Sequence, residues 1–254
     1  VLFRSLKVKQ QLRDWMKIRG DYDRYSDSYS LTQQGIESHL LETIRFRQQR
    51  DQAILLIMHF PATFERIQRL LDSAGLDVEI APLTFGPDYL LNLIRQAPPG
   101  SPPILLVLAA TFDDSSLERR RPAQRKLNVS FMVLERHPSL AEEQRIDQFA
   151  RIWPFAVRIG YLLSMDDPVV KYCVHPTIIE VLKQMGLGDQ RLFSSEMVTR
   201  QLERVLKRLN LPARSAQSAR PMAENSAEEW LQRLPPPDRK STRLNSSHLV
   251  ISYA

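Results

Sequence analysis

Four short, nearly unbroken apolar runs constrain this chain more than any other feature. They are AILLIMH at 53–59, ILLVLA at 104–109, VSFMVL at 129–134 and AVRIGYLL at 156–163. A strand with one face in water alternates apolar and polar residues, so a run with no polar face predicts a strand buried on both sides. Amphipathic segments separate the runs. Phe64, Ile67, Leu70 and Leu71 recur at helical spacing before Gly75 stops the pattern, and 88–96 and 140–152 read as further helices. A weaker strand is expected at DVEIAPL, 77–83. Buried strands alternating with helices predict an α/β fold, a parallel sheet covered by helices on both faces.

Outside that core the patterns differ. Residues 6–35 are polar and mixed, with DYDRYSDSYS read as a loop or irregular arm, and 35–49 as a helix. The segments 98–103 and 113–126 are expected to be loops. After Ser164 only helices are expected, at 176–185 and 194–209, the latter carrying Val198, Leu202, Val205 and Leu209 on one stripe. The expected organisation is an N-terminal arm and helix (6–52), an α/β domain (53–164), a helical extension (165–211) and a flexible linker (212–237).

The two ends have a different origin. DRKSTRLNSSH at 238–248, ISYA at 251–254 and LFRS at 2–5 match the conceptual translation of a common sequencing adapter. Residues 1–5 and 238–254 are therefore set aside, as a tag would be, and the chain is read as a fragment. This changes the charge argument. Arg4, Arg239, Lys240 and Arg243 against Asp238 supply half of the net charge of +6, leaving a diffuse excess rather than the clustered basic face that nucleic acid requires. The single Cys173 excludes an internal disulfide framework and fits a reducing compartment. No stretch approaches the ~18 apolar residues of a membrane span.

Catalytic signatures are absent. There is no Gly-x-x-x-x-Gly-Lys-Ser/Thr loop, no Gly-x-Gly-x-x-Gly and no Gly-x-Ser-x-Gly, and 8 glycines leave little room for a phosphate-cradling nest. His59, His137 and His175 lack metal-ligand spacing and are read as structural, Cys173 as a buried thiol. Three charged clusters remain: Glu135-Arg136-His137 after the third run, Arg145-Ile146-Asp147-Gln148 in the following helix, and Asp166-Asp167 after the fourth run. Carboxyl ends of parallel strands are where open α/β sheets bind ligands. The same positions equally suit helix caps and strand-end charges.

The order of these clusters resembles the second nucleotide-binding domain of SecA, the ATP-driven preprotein translocase motor. VLERHPSLAEEQRID…VRIGYLLSMDDPVVK is similar to a strand ending T-E-R-H, then R-I-D-x-Q, then a strand followed by S-L-E-D-D. EVLKQMGLGDQRLFSSEMVTRQLERVLKRL and AILLIMHFPATFERIQRLLDSAGL resemble the flanking stretches, so the likeness runs over roughly 38–209. It implies a RecA-like fold with a C-terminal helical extension, and an interdomain ATP site shared with an upstream nucleotide-binding domain. By the same resemblance, Arg145, Asp147, Gln148 and Arg151 become nucleotide- or interdomain-facing candidates, with Glu135 and His137 supporting them. Implied partners are the upstream domain, a membrane translocon and preprotein; the implied location is cytoplasmic, at the inner membrane's periphery.

The departures bear on chemistry. The family's glycine-rich, arginine-bearing loop is replaced by Ile152-Trp153-Pro154-Phe155, and Ala109 to Asp114 stand without the glycines of A-G-R-G-T-D. Aromatic rings cannot supply the guanidinium that contributes ~10³ or more to phosphoryl transfer, leaving Arg151 or Arg158 as substitutes. ATP and magnesium are therefore expected only in a full-length protein, with no cofactor, metal or catalytic residue in the fragment. A non-enzymatic RecA-like interaction module is the alternative. A helicase C-terminal domain is another, but the basic groups at 119–121 and Arg200, Arg204, Lys207 and Arg208 lack interleaved aromatics and read as solvated faces, with no nucleic acid expected.

Overall fold

The apolar runs become the centre of one sheet. The computed structural model describes residues 22–98, 100–112, 124–153, 155–185, 187–188, 191–210, 225–233 and 251–253. Strands β3 (Ala53–Met58), β5 (Ile104–Leu108), β6 (Gln124–Val133) and β7 (Phe155–Ser164) are all mutually parallel where they pair, and β4 (Glu79–Ile80) adds to β5. The order across this part is β4-β5-β3-β6-β7.

Side-chain alternation explains why the runs have no polar face. Leu55, Phe131 and Ile159 lie in register and face one side, whereas Ile54, Leu56 and Met132 face the other. On the second side lie helices α1 (Gln33–Gln48) and α2 (Pro61–Ser73), which bury Ile36, Leu40, Ile44, Ile67 and Leu71. The first side carries α3 (Pro87–Gln96), α4 (Leu140–Ile152), α5 (Pro168–Cys173), α6 (Pro176–Gln184) and α7 (Glu196–Asn210), contributing Leu90, Phe149, Val170, Ile178 and Leu202. Helices cover both faces, as a parallel sheet requires.

Local chemistry sets the helix limits. Thr32 caps α1 through its hydroxyl to the Gly35 amide, and Pro61, Pro87, Pro168 and Pro176 open their helices at a position that has no use for an amide hydrogen. Gly75, at φ 66°, turns the chain after α2 in the left-handed region that favours glycine.

The structure corrects several sequence expectations. DYDRYSDSYS is not an irregular arm, because β1 (Tyr22–Arg24) and β2 (Ser28–Ser30) pair in parallel along the outer edge of β7. Main-chain hydrogen bonds to a long open edge need no apolar side chains, so the pattern was silent. The stretch after Ser164 is not purely helical: β8 (Phe193–Ser195) pairs antiparallel with β2. Strand β6 begins at Gln124, inside the expected 113–126 loop, whose residues 113–123 lie outside the described ones. DVEIAPL narrows to a two-residue strand. Within the stretch read as linker, α8 (Ala227–Gln232) forms behind a Ser226 cap and buries Ala227; 212–224 and 234–237 lie outside the described residues. Of the adapter-matching ends, residues 251–253 form β9 (Ile251–Tyr253), antiparallel to β8, and the rest lie outside.

Candidate functional site: a crevice at the strand-order reversal

Strand order determines where a crevice can open. After β3 the chain passes through α2 toward β4 on one flank, and after β6 it passes through α4 toward β7 on the other. The carboxyl ends of β3 and β6 are neighbours whose connections leave over opposite faces, the arrangement that opens a ligand crevice in such sheets. Met58-His59-Phe60 and Leu134-Glu135-Arg136-His137 meet there.

The protein's own side chains take the innermost part of the crevice, and a cavity of about 200 Å³ remains beside them, lined by Thr63, Arg66, Glu135 and Asp167. One oxygen of the Glu135 carboxylate accepts from the His59 amide (2.7 Å) and the Phe60 amide (2.8 Å), and the other from the Thr63 hydroxyl (2.6 Å). Phe60 is the N-cap of α2 and offers no capping side chain. Glu135 supplies the missing acceptor from the neighbouring strand and places a carboxylate at the positive end of the helix. Anions that bind at helix N-termini take this position.

Beside it lies a buried ion cluster. Arg136 donates to Glu143 (2.7 Å) and to Asp27, and stacks over the Tyr161 ring at 3.8 Å. Glu143 also accepts from the His137 amide (2.6 Å), with His59 Nε2 at 3.5 Å, the limit of hydrogen bonding. Burial alone would raise the Glu143 carboxyl, but the Arg136 guanidinium holds it well below the usual carboxylate range. Burial would likewise lower Arg136, and Glu143 and Asp27 more than reverse that. The His137 ring is pushed down to about 3 by burial and then by His59; it stacks on Phe60 at 5.1 Å and meets the edge of Trp230 from α8. A hydrogen bond from the Ala62 amide to the Asn225 carbonyl (3.0 Å) helps hold this segment over the start of α2.

Asp167 closes the third side. It caps α5 through the Val169 amide (2.8 Å) and the Val170 amide (3.1 Å). Burial, then the charge of Glu135, pushes its carboxyl up to about 7. The sign follows: stability from this group is full below the unfolded carboxylate pKa of ~4 and is lost as pH rises through about 7. Asp167→Asn keeps an accepting cap oxygen without the buried charge. Its thermal midpoint relative to the parent chain is expected to rise as pH goes from about 5 to about 8. His137 pulls the other way but is common to both chains and cancels in the difference. A pH-independent difference in melting curves would contradict this.

The sequence candidates separate into three places. Glu135 and His137 belong to the crevice. Arg145 reaches the turn after β5, donating to the Ala109 carbonyl (3.3 Å) and the Phe112 carbonyl (2.7 Å). Asp147 takes hydrogen bonds from Tyr22 of β1 and from Arg151 (2.6 Å), and Arg151 stacks over the Tyr22 ring. Burial works against the charge on Asp147, yet these two bonds keep its carboxyl below the ordinary value. Gln148 is exposed. Trp153 and Phe155, standing where the family loop carries its arginine, are fully buried, and Trp153 packs against Phe85 and Phe131. Asp113 and Asp114 lie outside the described residues. Sequence reasoning missed Asp27, Thr63 and Glu143; Asp167 followed by Pro168 did carry a legible cap signal.

Among the described residues no group of three or more His, Cys, Asp or Glu side chains is placed to hold a metal ion, and no helix is long and apolar enough to cross a membrane. Arg200, Arg204, Lys207 and Arg208 are exposed on α7, with Arg200 paired to Glu196 and Lys207 near Glu203. No family model matches this chain, and no curated protein does. Among solved structures it is similar to the C-terminal part of the Fun30 ATPase domain, at 12% identity and a TM-score of 0.33, over 68% of this chain and 54% of that one. The chain thus spans about half the length of that structure.

Proposed function

We propose that this chain is the second α/β domain of a SecA-like motor and that it acts by docking against a nucleotide-holding partner domain, without binding nucleotide tightly itself. One observation carries the reading. The position at the start of α2 that could receive a phosphate is taken by Glu135, bonded to two main-chain amides and Thr63. A carboxylate there repels a phosphate and takes the His59 and Phe60 amides. The resemblance supports the same assignment, since the second domain of such motors has no phosphate loop and works on ATP from outside. In this reading Arg145, Asp147, Gln148 and Arg151 lie on the docking side, the first braced by main-chain carbonyls and Asp147 and Arg151 by each other.

Calorimetric titration with ATP and magnesium is expected to give no binding tighter than about millimolar, with no turnover. Micromolar binding retained at elevated salt, or turnover abolished by Arg151→Ala, would overturn the proposal. An interaction module with no motor function is the second reading, and its discriminating feature lies upstream. The motor reading expects a Gly-x-x-x-x-Gly-Lys-Ser/Thr loop in the preceding part of the open reading frame, and the module reading does not.

A further inference from the structure

Away from the crevice, a cavity of about 270 Å³ opens between the sheet, α1 and the β1–β2 connection. The sheet face beneath α1 is apolar except here. Ser130 and Arg158 lie side by side in register, followed by Met132 beside Gly160, so small residues leave a gap that the helix does not fill. Ser130 is 4% exposed, and its hydroxyl makes no hydrogen bond among the described residues. Arg158 has neither a hydrogen bond nor an ion pair among them, and its neighbour in register on β1 is the exposed Asp23. On the opposite wall Arg47 donates one nitrogen to Gln52 (3.0 Å) and lies 5.9 Å from the Tyr25 ring, while its Nε is buried without a partner. Ser26 and Ser28 complete the polar wall, and no carboxylate lines the cavity.

Two guanidiniums with free donors, beside serine hydroxyls in a cavity that no carboxylate lines, form an arrangement that an anion completes. Two cationic forks with several hydroxyls match three or more acceptor oxygens and a double negative charge better than the two oxygens of a carboxylate. Met132, Leu162 and Leu192 offer apolar contact beside them. The volume falls just below the roughly 300–1,000 Å³ of pockets that hold drug-sized molecules, which limits the occupant's size. We propose that this cavity binds a small phosphate monoester, its phosphate held by Arg47, Arg158 and Ser130 and its apolar body against Met132, Leu162 and Leu192.

The test is calorimetric titration of the whole chain with phenyl phosphate, using benzyl alcohol as the uncharged control. Saturable binding of phenyl phosphate alone is expected, weakened about tenfold or more by Arg158→Gln and by Arg47→Gln. Ser130→Val, which fills the gap with a methyl group and removes the hydroxyl, is expected to weaken it too and serves if an arginine variant fails to fold. No saturable binding, or equal affinity in all three variants, would overturn the site. Nucleotide in the crevice is separable: any heat from ATP that vanishes in Arg47→Gln arises in this cavity and supports the proposal.

Discussion

Arg136→Met is expected to destabilise the protein by about 3–5 kcal/mol, the usual cost of breaking a buried ion cluster by removing one partner. Arg136 is 4% exposed and is the shared cation of Asp27 and Glu143, themselves 4% and 7% exposed. Met keeps much of the packing against Tyr161 but leaves Glu143 buried without its guanidinium and Asp27 with only Arg24, 3.9 Å away. Urea unfolding of the parent and the variant measures the difference. The triple variant Arg136→Met, Asp27→Asn, Glu143→Gln separates charge from packing. It is expected to recover part of the loss, because the penalty comes from stranded charges rather than from the absence of the pair. A loss below about 1 kcal/mol in Arg136→Met would place the cluster in a more hydrated setting than the geometry indicates.

Val133→Asp is expected to abolish folding. Val133 has no exposed surface, sits between Ile57 and Tyr161 in the central register, and packs within the hydrophobic cluster of that face. An uncompensated carboxylate there costs several kcal/mol or more, comparable to the whole stability of a domain. The expected readout is loss of the cooperative thermal transition by circular dichroism, with Val133→Ala as a folded control losing about 1–3 kcal/mol. A cooperative transition retained in Val133→Asp would mean that β6 is not the central buried strand.

The sheet was legible because its cause is local. A run such as AILLIM has no polar face to offer water, whatever surrounds it, so burial on both sides follows from the run itself. The α2 and α4 limits came from Pro61, Gly75 and the apolar spacing, which are also local. The site was half legible. Glu135, His137 and Asp167 were placed at carboxyl ends by their positions after a run, with ligand crevice, helix cap and strand-end charge left open for each. Trp153 and Phe155 were read as a missing arginine loop, and the structure adds what they do instead: they fill the core beneath α4.

What the sequence by itself determined is the layered parallel sheet, since period and composition act over a few residues and need no knowledge of neighbours. What only the tertiary structure decided is which charges meet. Arg136 finds Asp27 at a separation of 109 residues, Glu135 finds Thr63 at 72, and DYDRYSDSYS becomes two strands only because β7 presents an open edge. Strand order brings these groups together, and strand order comes from how whole elements pack. A polar side chain carries no local signal of the partner it will need once water has been excluded around it.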